Sequence, residues 1–468
     1  MNQPNILVVV ADQLSAAALP AFGHDFAVTP NIDRLAARGV HFRHAYTPCP
    51  LCRPARASFC TGRLPHQTSV LSNGVQFEET PIPDTMPTLG ALLSDAGYRC
   101  VHFGKTHDHG ALRGFEVFPH ASEVLDETPG AFSYNNDTWQ DVGTESQAIT
   151  WLENEDGPPP WCCVVDLNNP HNICGYVANN SDEQMDGALP PLPDNFTTDD
   201  MASRPPPIQY LCCTHRRQMQ AAHWNERQWR QYRAAYRHFI EDFDARLGRL
   251  LDALDARTDV EDTLILFWAD HGDGMGAHRL ATKHTAFYEE IVNVPLIAAG
   301  AGVTGTGPAP GDPLVSLVDL LPTICELAGA TTPPDLPGRS FAAALRGSPP
   351  THARQAVVSQ WHTEWGTTIE PGRMVRTHRW KYTIYREQDA EELYDLEQDP
   401  GETRNLAADP GHADALAEMR QRFTAYCAET DDPFTTLAWK ADARWRSHPV
   451  GYHHHEGSCA PIEAGACR

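Results

Sequence analysis

Two acids and an imidazole stand where an α/β sheet concentrates its chemistry. Asp12 closes the apolar run Asn5–Ala11, and Asp270-His271-Gly272-Asp273 follows the apolar run Thr263–Ala269. Parallel strands open their carboxyl ends on one rim, so residues far apart in sequence can share a site there. Two carboxylates and an imidazole suit a divalent cation, although either acid alone reads equally well as a helix cap or loop carboxylate. Cys52 is formally the end of a C-x-x-C run, Cys49-Pro50-Leu51-Cys52, yet no thioredoxin-like context accompanies it. The tail run His453-His454-His455-Glu456 also offers metal donors, with a solvated tail as the plainer reading.

The elements that must position these groups alternate. Asn5–Asp12 is a short β-rich run suited to a strand buried on both faces. Thr29–Gly39 carries a capping start and a glycine stop, so a helix is expected there, with Val40–Phe42 extended after it. Further alternation follows: a helix near Thr88–Ala96, strands at Tyr98–Phe103 and Trp161–Leu167, a helix over Glu226–Leu254 and a strand at Thr263–Ala269. This pattern predicts an α/β sheet covered on both faces. In the long helix, Tyr232, Tyr236, Phe239, Phe243, Leu247, Leu250 and Leu254 form one apolar stripe, read as core. Gly175–Pro207 is rich in Pro, Asp and Asn and reads as a long loop. Another Pro/Gly-rich passage, Gly302–Pro313, separates the strand Val294–Ala299 from Leu314–Leu327. From Ala356 the texture shifts to short strands and a closing helix near Ala413–Cys427. The expected organisation is a catalytic domain over residues 1–355, a smaller antiparallel-sheet subdomain over 356–430 and an irregular tail over 431–468.

Motif content is more specific than composition. Cys52-x-Pro54-x-Arg56 with Thr61-Gly62 resembles the signature of the type I, formylglycine-dependent sulfatases of the alkaline phosphatase superfamily. Ordered landmarks extend the resemblance over nearly the whole chain: Pro4–Gln13, Thr29–Ala36, Gly104-Lys105-Thr106-His107, Asn169-Pro170-His171, Asp270–Asp273, and Lys283 ahead of Tyr288-Glu289-Glu290. The resemblance implies a large mixed, mostly parallel sheet sandwiched by helices, with a smaller C-terminal α+β domain containing an antiparallel sheet. It also implies roles. Asp12, Asp270, His271 and the modified Cys52 would hold a divalent metal, with Gln13 at or beside it. A formylglycine-generating enzyme would oxidise Cys52 to an aldehyde whose hydrate attacks sulfur and later expels sulfate. Arg56 would hydrogen-bond that hydrate, a task suited to a permanently charged guanidinium. Lys105 and Lys283 would grip sulfate oxygens. His107 would take the proton that triggers sulfate release, and His171, with Lys283, would protonate the leaving alkoxide. Asn73 would line the substrate site. The combination Asp12-Gln13 with Asp270-His271 is similar to that of choline-sulfatases, phosphonate monoester hydrolases and some bacterial carbohydrate sulfatases. Calcium is the expected metal, while the imidazole admits manganese or zinc.

Bulk properties set limits. A chain of 468 residues can bury a substantial core. A formal net charge of −25 argues against nucleic acid and anionic membranes as partners. Any anion site must then be a local cation cluster or a metal. Thirteen cysteines, including adjacent pairs at 162–163 and 212–213, do not resemble a spaced disulfide framework. The start MNQPNILVVVADQ has no basic lead-in or cleavage pattern, so a cytoplasmic location is expected. The expected substrate is a sulfated sugar or oligosaccharide. Alternatives are a phosphonate monoester or phosphodiester hydrolase using the same nucleophile, and a non-catalytic anion- or metal-binding relative. Nothing in the sequence fixes the oligomeric state.

Overall fold

The computed structural model describes residues 3–73, 81–107, 109–119, 138–154, 160–179, 185, 187–196, 204–205, 207–208, 216–283, 285–350, 352–362, 371–386, 390–436 and the short strands 454–455 and 458–459. Its first strand, β1 (Asn5–Asp12), is buried along its whole length. It pairs in parallel with two strands distant in sequence, β5 (Trp161–Pro170) and β6 (Thr263–Ala269). Strands β2 (Gly39–His41), β3 (Arg99–Gly104), β4 (Glu116–Pro119), β7 (Leu296–Gly300) and β8 (Gly307–Pro308) complete an eight-stranded sheet in the order β4-β3-β5-β1-β6-β7-β2-β8. The pairs from β4 through β6 are parallel, while β7 runs antiparallel to both β6 and β2. The sheet is therefore mixed and mostly parallel, as the resemblance implied.

Helices cover it. α1 (Pro30–Ala37) begins at the expected Thr29, α2 (Cys52–Thr61) starts on the candidate nucleophile, and α3 (Leu89–Asp95) has Thr88 and Ala96 as its caps. A fourth, α4 (Thr138–Asn154), was not foreseen. Its inward face mixes Asp141, Thr144 and Glu145 with Ala148 and Leu152, so apolar periodicity does not reveal it. α5 (Ile173–Asn179) overturns the start of the expected long loop. Ile173, Cys174, Tyr176 and Val177 are all buried, and this packing overrides the turn signal of Gly175. α6 (Glu226–Asp255) is the anticipated long helix, opened by an Asn225 capping box. Its whole predicted stripe is buried.

Residues 357–395 form a second, four-stranded antiparallel sheet: β9 (Val357–Trp361), β10 (Gly372–Arg376), β11 (Trp380–Tyr385) and β12 (Ala390–Asp395). After α7 (Glu289–Val292) and α8 (Leu320–Ala328) in the first layer, α9 (Ala413–Thr430) packs on this sheet. A buried ionic seam joins the two parts. Lys381 of β11 lies 2.9 Å from Glu289 and 2.8 Å from Glu402. Arg204 contacts the hydroxyls of Tyr288 and Tyr394 and the ring of His278. His278, Glu290 and Glu402 cluster in that seam beside the cations Arg204 and Lys381. The side chains of the His453–Glu456 run lie outside the described residues.

Candidate active site

Four adjacent parallel strands deliver the chemistry at their carboxyl ends. β1 ends in Asp12 and leads to Gln13; β6 leads to Asp270 and His271; β3 leads to Lys105 and His107; β5 leads to His171. Gly104 makes the Lys105 turn possible. It has φ +98°, and a Cβ there would meet the Asp166 carbonyl oxygen at 2.1 Å. In Asp270-His271-Gly272-Asp273, a Cβ on Gly272 would sit 2.1 Å from the Glu290 carbonyl oxygen. Only glycine lets that turn lie against α7.

The nucleophile comes from the other side. Cys52 opens α2 and Arg56 follows one turn later, so both face the strand ends. Pro54 costs little because a first helical turn leaves its N–H groups unbonded anyway. Asn73 accepts the Arg53 N–H at 2.9 Å and so anchors the start of α2. That is where the structure puts this sequence-predicted substrate residue: at the start of the nucleophile helix, bonded to the residue after Cys52.

Around the fully buried Cys52 thiol the contacts are short. Lys283 Nζ lies 3.0 Å from Sγ, His271 Nε2 3.2 Å, and Asp12 Oδ1 3.7 Å. Asp12 also takes Lys105 Nζ at 2.6 Å and Arg56 Nη2 at 3.0 Å. Arg56 Nη2 is 3.2 Å from Asp270 Oδ2. Gln13 accepts from Lys283 Nζ at 2.8 Å and donates to Asp273 at 2.7 Å, while its backbone N–H bonds Asp270 Oδ1. Gln13 thus stands beside the cluster, held in a left-handed conformation (φ 71°). Two of the stripe tyrosines brace this region: Tyr236 donates to the Gln13 carbonyl at 2.7 Å and Tyr232 donates to Asp273.

The charges answer one another. Burial pushes Asp12 up, but Lys105, His171, Lys283 and Arg56 outweigh it and hold the carboxyl well below its usual range. Asp270 goes the other way, to about 7, through burial and the Asp12 charge. Burial and Asp12 raise the Cys52 thiol, yet Lys283, Lys105 and His271 bring it well below the ordinary value. Burial, together with Lys105 and Lys283, keeps His171 well below the usual imidazole range, and burial first of all takes His107 to about 4.

The donor set fits a divalent cation. Asp12, Cys52, Asp270 and His271 present ligand atoms all within 4.8 Å of one another. Asp270 Oδ2 is fully buried and, beyond the Arg56 guanidinium 3.2 Å away, receives no aligned hydrogen bond among the described residues. The His271 ring can donate from Nδ1 to the Gly272 carbonyl at 2.9 Å, leaving Nε2 to ligate. Two like-charged buried carboxylates side by side are costly without a cation between them.

Sequence reasoning missed a further layer. Asp166 contacts Arg56 Nη1, and Asp141 accepts the Asn168 and Asn169 N–H groups at 2.6 and 2.8 Å, fixing the turn that carries His171. The signal for Asp166 was present: it is the one charged residue in the run Trp161–Leu167. Asp141 had none, since its helix was not apparent.

A mostly parallel sheet gathering cations and carboxylates at its strand ends, around a thiol that opens a helix, defines the alkaline-phosphatase-like fold of the sulfatases. The sulfatase family model matches residues 4–330, and the model of the N-sulphoglucosamine sulphohydrolase C-terminal region matches 276–429. The chain belongs to the sulfatase family, and it is a sulfuric ester hydrolase. It is similar to a Δ4,5-hexuronate-2-O-sulfatase of Bacteroides thetaiotaomicron, with 44% identity covering 97% of this chain and 95% of the relative. A choline-sulfatase of Rhizobium meliloti is 30% identical, over 85% of this chain and 81% of the relative. The solved structure of a 2-O GAG sulfatase superimposes with a TM-score of 0.90 at 44% identity, covering 98% and 99% of the two chains.

Proposed function

We propose that the protein hydrolyses the 2-O-sulfate ester of a hexuronate-containing sugar, with formylglycine at position 52 as nucleophile. The placement of the Cys52 side chain between Lys283, His271 and Asp12 carries this reading. The extended identity to a hexuronate 2-O-sulfatase supports the substrate. Once oxidised, position 52 would supply the attacking hydroxyl and a second one whose deprotonation releases sulfate. A divalent cation held by Asp12, Asp270, His271 and position 52 would polarise the sulfate and the attacking oxygen. Calcium is the proposed ion; the imidazole also admits manganese or zinc.

The chain's own residues do the rest. Lys105 and Lys283 bind the sulfate oxygens, their ammonium groups already aimed at Asp12 and Cys52. Arg56 orients the hydroxyl at position 52 and balances its charge. Burial, Lys105 and Lys283 hold His171 below the usual imidazole range. A bound sulfate would offset the lysines and let His171 carry the proton that it passes to the departing sugar oxygen. His107, whose ring hydrogen-bonds toward Cys52, takes the proton that frees sulfate. A formylglycine-generating enzyme is the maturation partner. Nine of the cysteines are free thiols, which suits a cytoplasmic site of action on small imported sugars.

The test pairs the mass of the peptide around Cys52 with turnover of a substrate panel and elemental analysis of the metal. Fully converted protein should act fastest on a 2-O-sulfated unsaturated hexuronate. Preference for another sulfate position would correct the substrate, and faster turnover of an aryl phosphonate monoester would replace the reading by the phosphonate hydrolase alternative.

A further inference from the structure

Behind the reacting groups lies a bracket that the mechanism above does not use. Arg56 is 2% exposed and bound on two sides. Its Nη2 faces Asp12 and Asp270, both candidate metal ligands, while its Nη1 donates to Asp166 Oδ2. Asp166 is itself 2% exposed and lies in β5, with His102 Nε2 of neighbouring β3 at 3.7 Å. Among the described residues, Arg56 Nε, Asp166 Oδ1, His102 Nδ1 and Trp268 Nε1 have no hydrogen-bond partner. The same four residues line one small cavity of about 20 Å³, together with Thr106 and apolar side chains such as Val8 and Phe59.

We infer that Asp166 is a positioning residue for the hydrolysis: with His102 beside it, it fixes the Arg56 guanidinium and balances its charge. The reason is a division of carboxylates. A cation between Asp12 and Asp270 draws on the charge of both, so Arg56 cannot rely on either as its counter-ion. A buried guanidinium without its own carboxylate is strongly destabilised. Asp166 is the carboxylate in contact with Arg56 that is not also a candidate metal ligand. It leaves Nη2 oriented toward the metal side while Nη1 is anchored away from it. Without Asp166, Arg56 would compete with the cation for Asp12 and Asp270. The inference rests on the proposed role of Arg56 but not on the identity of the sugar.

A double-mutant cycle with Asp166→Asn and Arg56→Gln tests it, read in two ways. The first is kcat and KM on an aryl sulfate, with conversion of Cys52 verified by mass. The second is the melting temperature of metal-loaded protein without substrate, where the cation draws on Asp12 and Asp270 and Asp166 is left to pair with Arg56. Asp166→Asn alone should lower kcat about 10- to 100-fold with KM within about threefold. In the Arg56→Gln background the same change should alter kcat less than about threefold, because its effect passes through Arg56. Melting should fall for Asp166→Asn and recover in the double variant, since removing both partners leaves no stranded charge. If Asp166→Asn alone does not fold, recovery of a folded double variant supports the inference, and a double variant that is also unfolded overturns it. Equal factors in both backgrounds, or kcat unchanged by Asp166→Asn, would likewise overturn it. Failure on every sulfated sugar with the coupling intact would instead count against the substrate reading alone.

Discussion

Lys283 Nζ lies 3.0 Å from Cys52 Sγ, although 231 residues separate them. The lysine is fully buried beside Asp12, and its ammonium is held charged by the Cys52 and Asp12 side chains against the cost of burial. A cation fixed this way needs no reorganisation when negative charge builds on a sulfate bound at position 52. Lys283→Ala should therefore lower kcat on an aryl sulfate by about 10²–10³-fold, the usual loss for one preorganised donor. Steady-state kinetics on protein with equal formylglycine content checks this.

Metal removal should destabilise the protein, and one substitution should reverse the sign. Asp12 and Asp270 repel each other when no metal lies between them; burial first, and then the Asp12 charge, push Asp270 up to about 7. Chelation should lower the melting temperature, and re-adding the ion at about 100 times its Kd should restore about 2.7 kcal/mol. Asp270→Asn should melt higher than the wild type after chelation, yet gain little from added metal. Melting curves with and without calcium decide it.

The ionic seam predicts an acid-favoured stability component. Burial, with Glu289 and Glu290 nearby, outweighs Lys381 and raises Glu402 from 4.5 to about 8. The folded protein then holds a proton that the unfolded chain has already lost, so this contribution is complete below about pH 4.5 and declines as pH rises to about 8. Glu289 is lowered to about 2, by Lys381 and Arg376 against burial. Its contribution is lost only as pH falls from about 4.5 toward 2. Urea unfolding at pH 5, 6.5 and 8 should show stability falling for the wild type and a shallower slope for Glu402→Gln.

Arg373 and Asp432 form a fully buried bidentate pair, at 2.7 and 2.8 Å. Arg373→Met should cost about 3–5 kcal/mol, because it strands a buried carboxylate. Adding Asp432→Asn should recover much of that loss. Chemical denaturation of the single and double variants measures both.

Gly272→Ala should be harsher than a surface glycine change. Its Cβ would lie 2.1 Å from the Glu290 carbonyl oxygen, so the metal turn or α7 must move. An overpacking cost of about 1–3 kcal/mol is expected. Gly23→Ala, where a Cβ meets nothing within 4 Å, gives the comparison for positive-φ strain alone.

The legible part of the site was the part that follows a chain-local rule. Asp12 and Asp270 each end an apolar strand, and Cys52 and Arg56 stand in one short motif, so residue type and local order pointed to them. Thr263–Ala269 and the α6 stripe were equally plain, because an uninterrupted buried strand and a one-sided helix leave strong periodicities. Helix α4 was not legible, since its buried face carries Asp141, Thr144 and Glu145, partnered by groups the sequence places elsewhere. Asn73 was noticed as a site residue, but only the coordinates showed it accepting the Arg53 N–H.

The amino-acid order alone determined which residues carry charge, which runs must be buried, and that Cys52 and Arg56 stand in one short motif. Those depend on side-chain chemistry and on repeat distances of a few residues. The tertiary structure decided which charges neutralise which: Arg56 between Asp166 and the Asp12–Asp270 pair, Lys283 on Cys52, Lys381 between Glu289 and Glu402. Coulomb energy inside a protein depends on separation and burial, and neither exists until distant strands meet in one sheet.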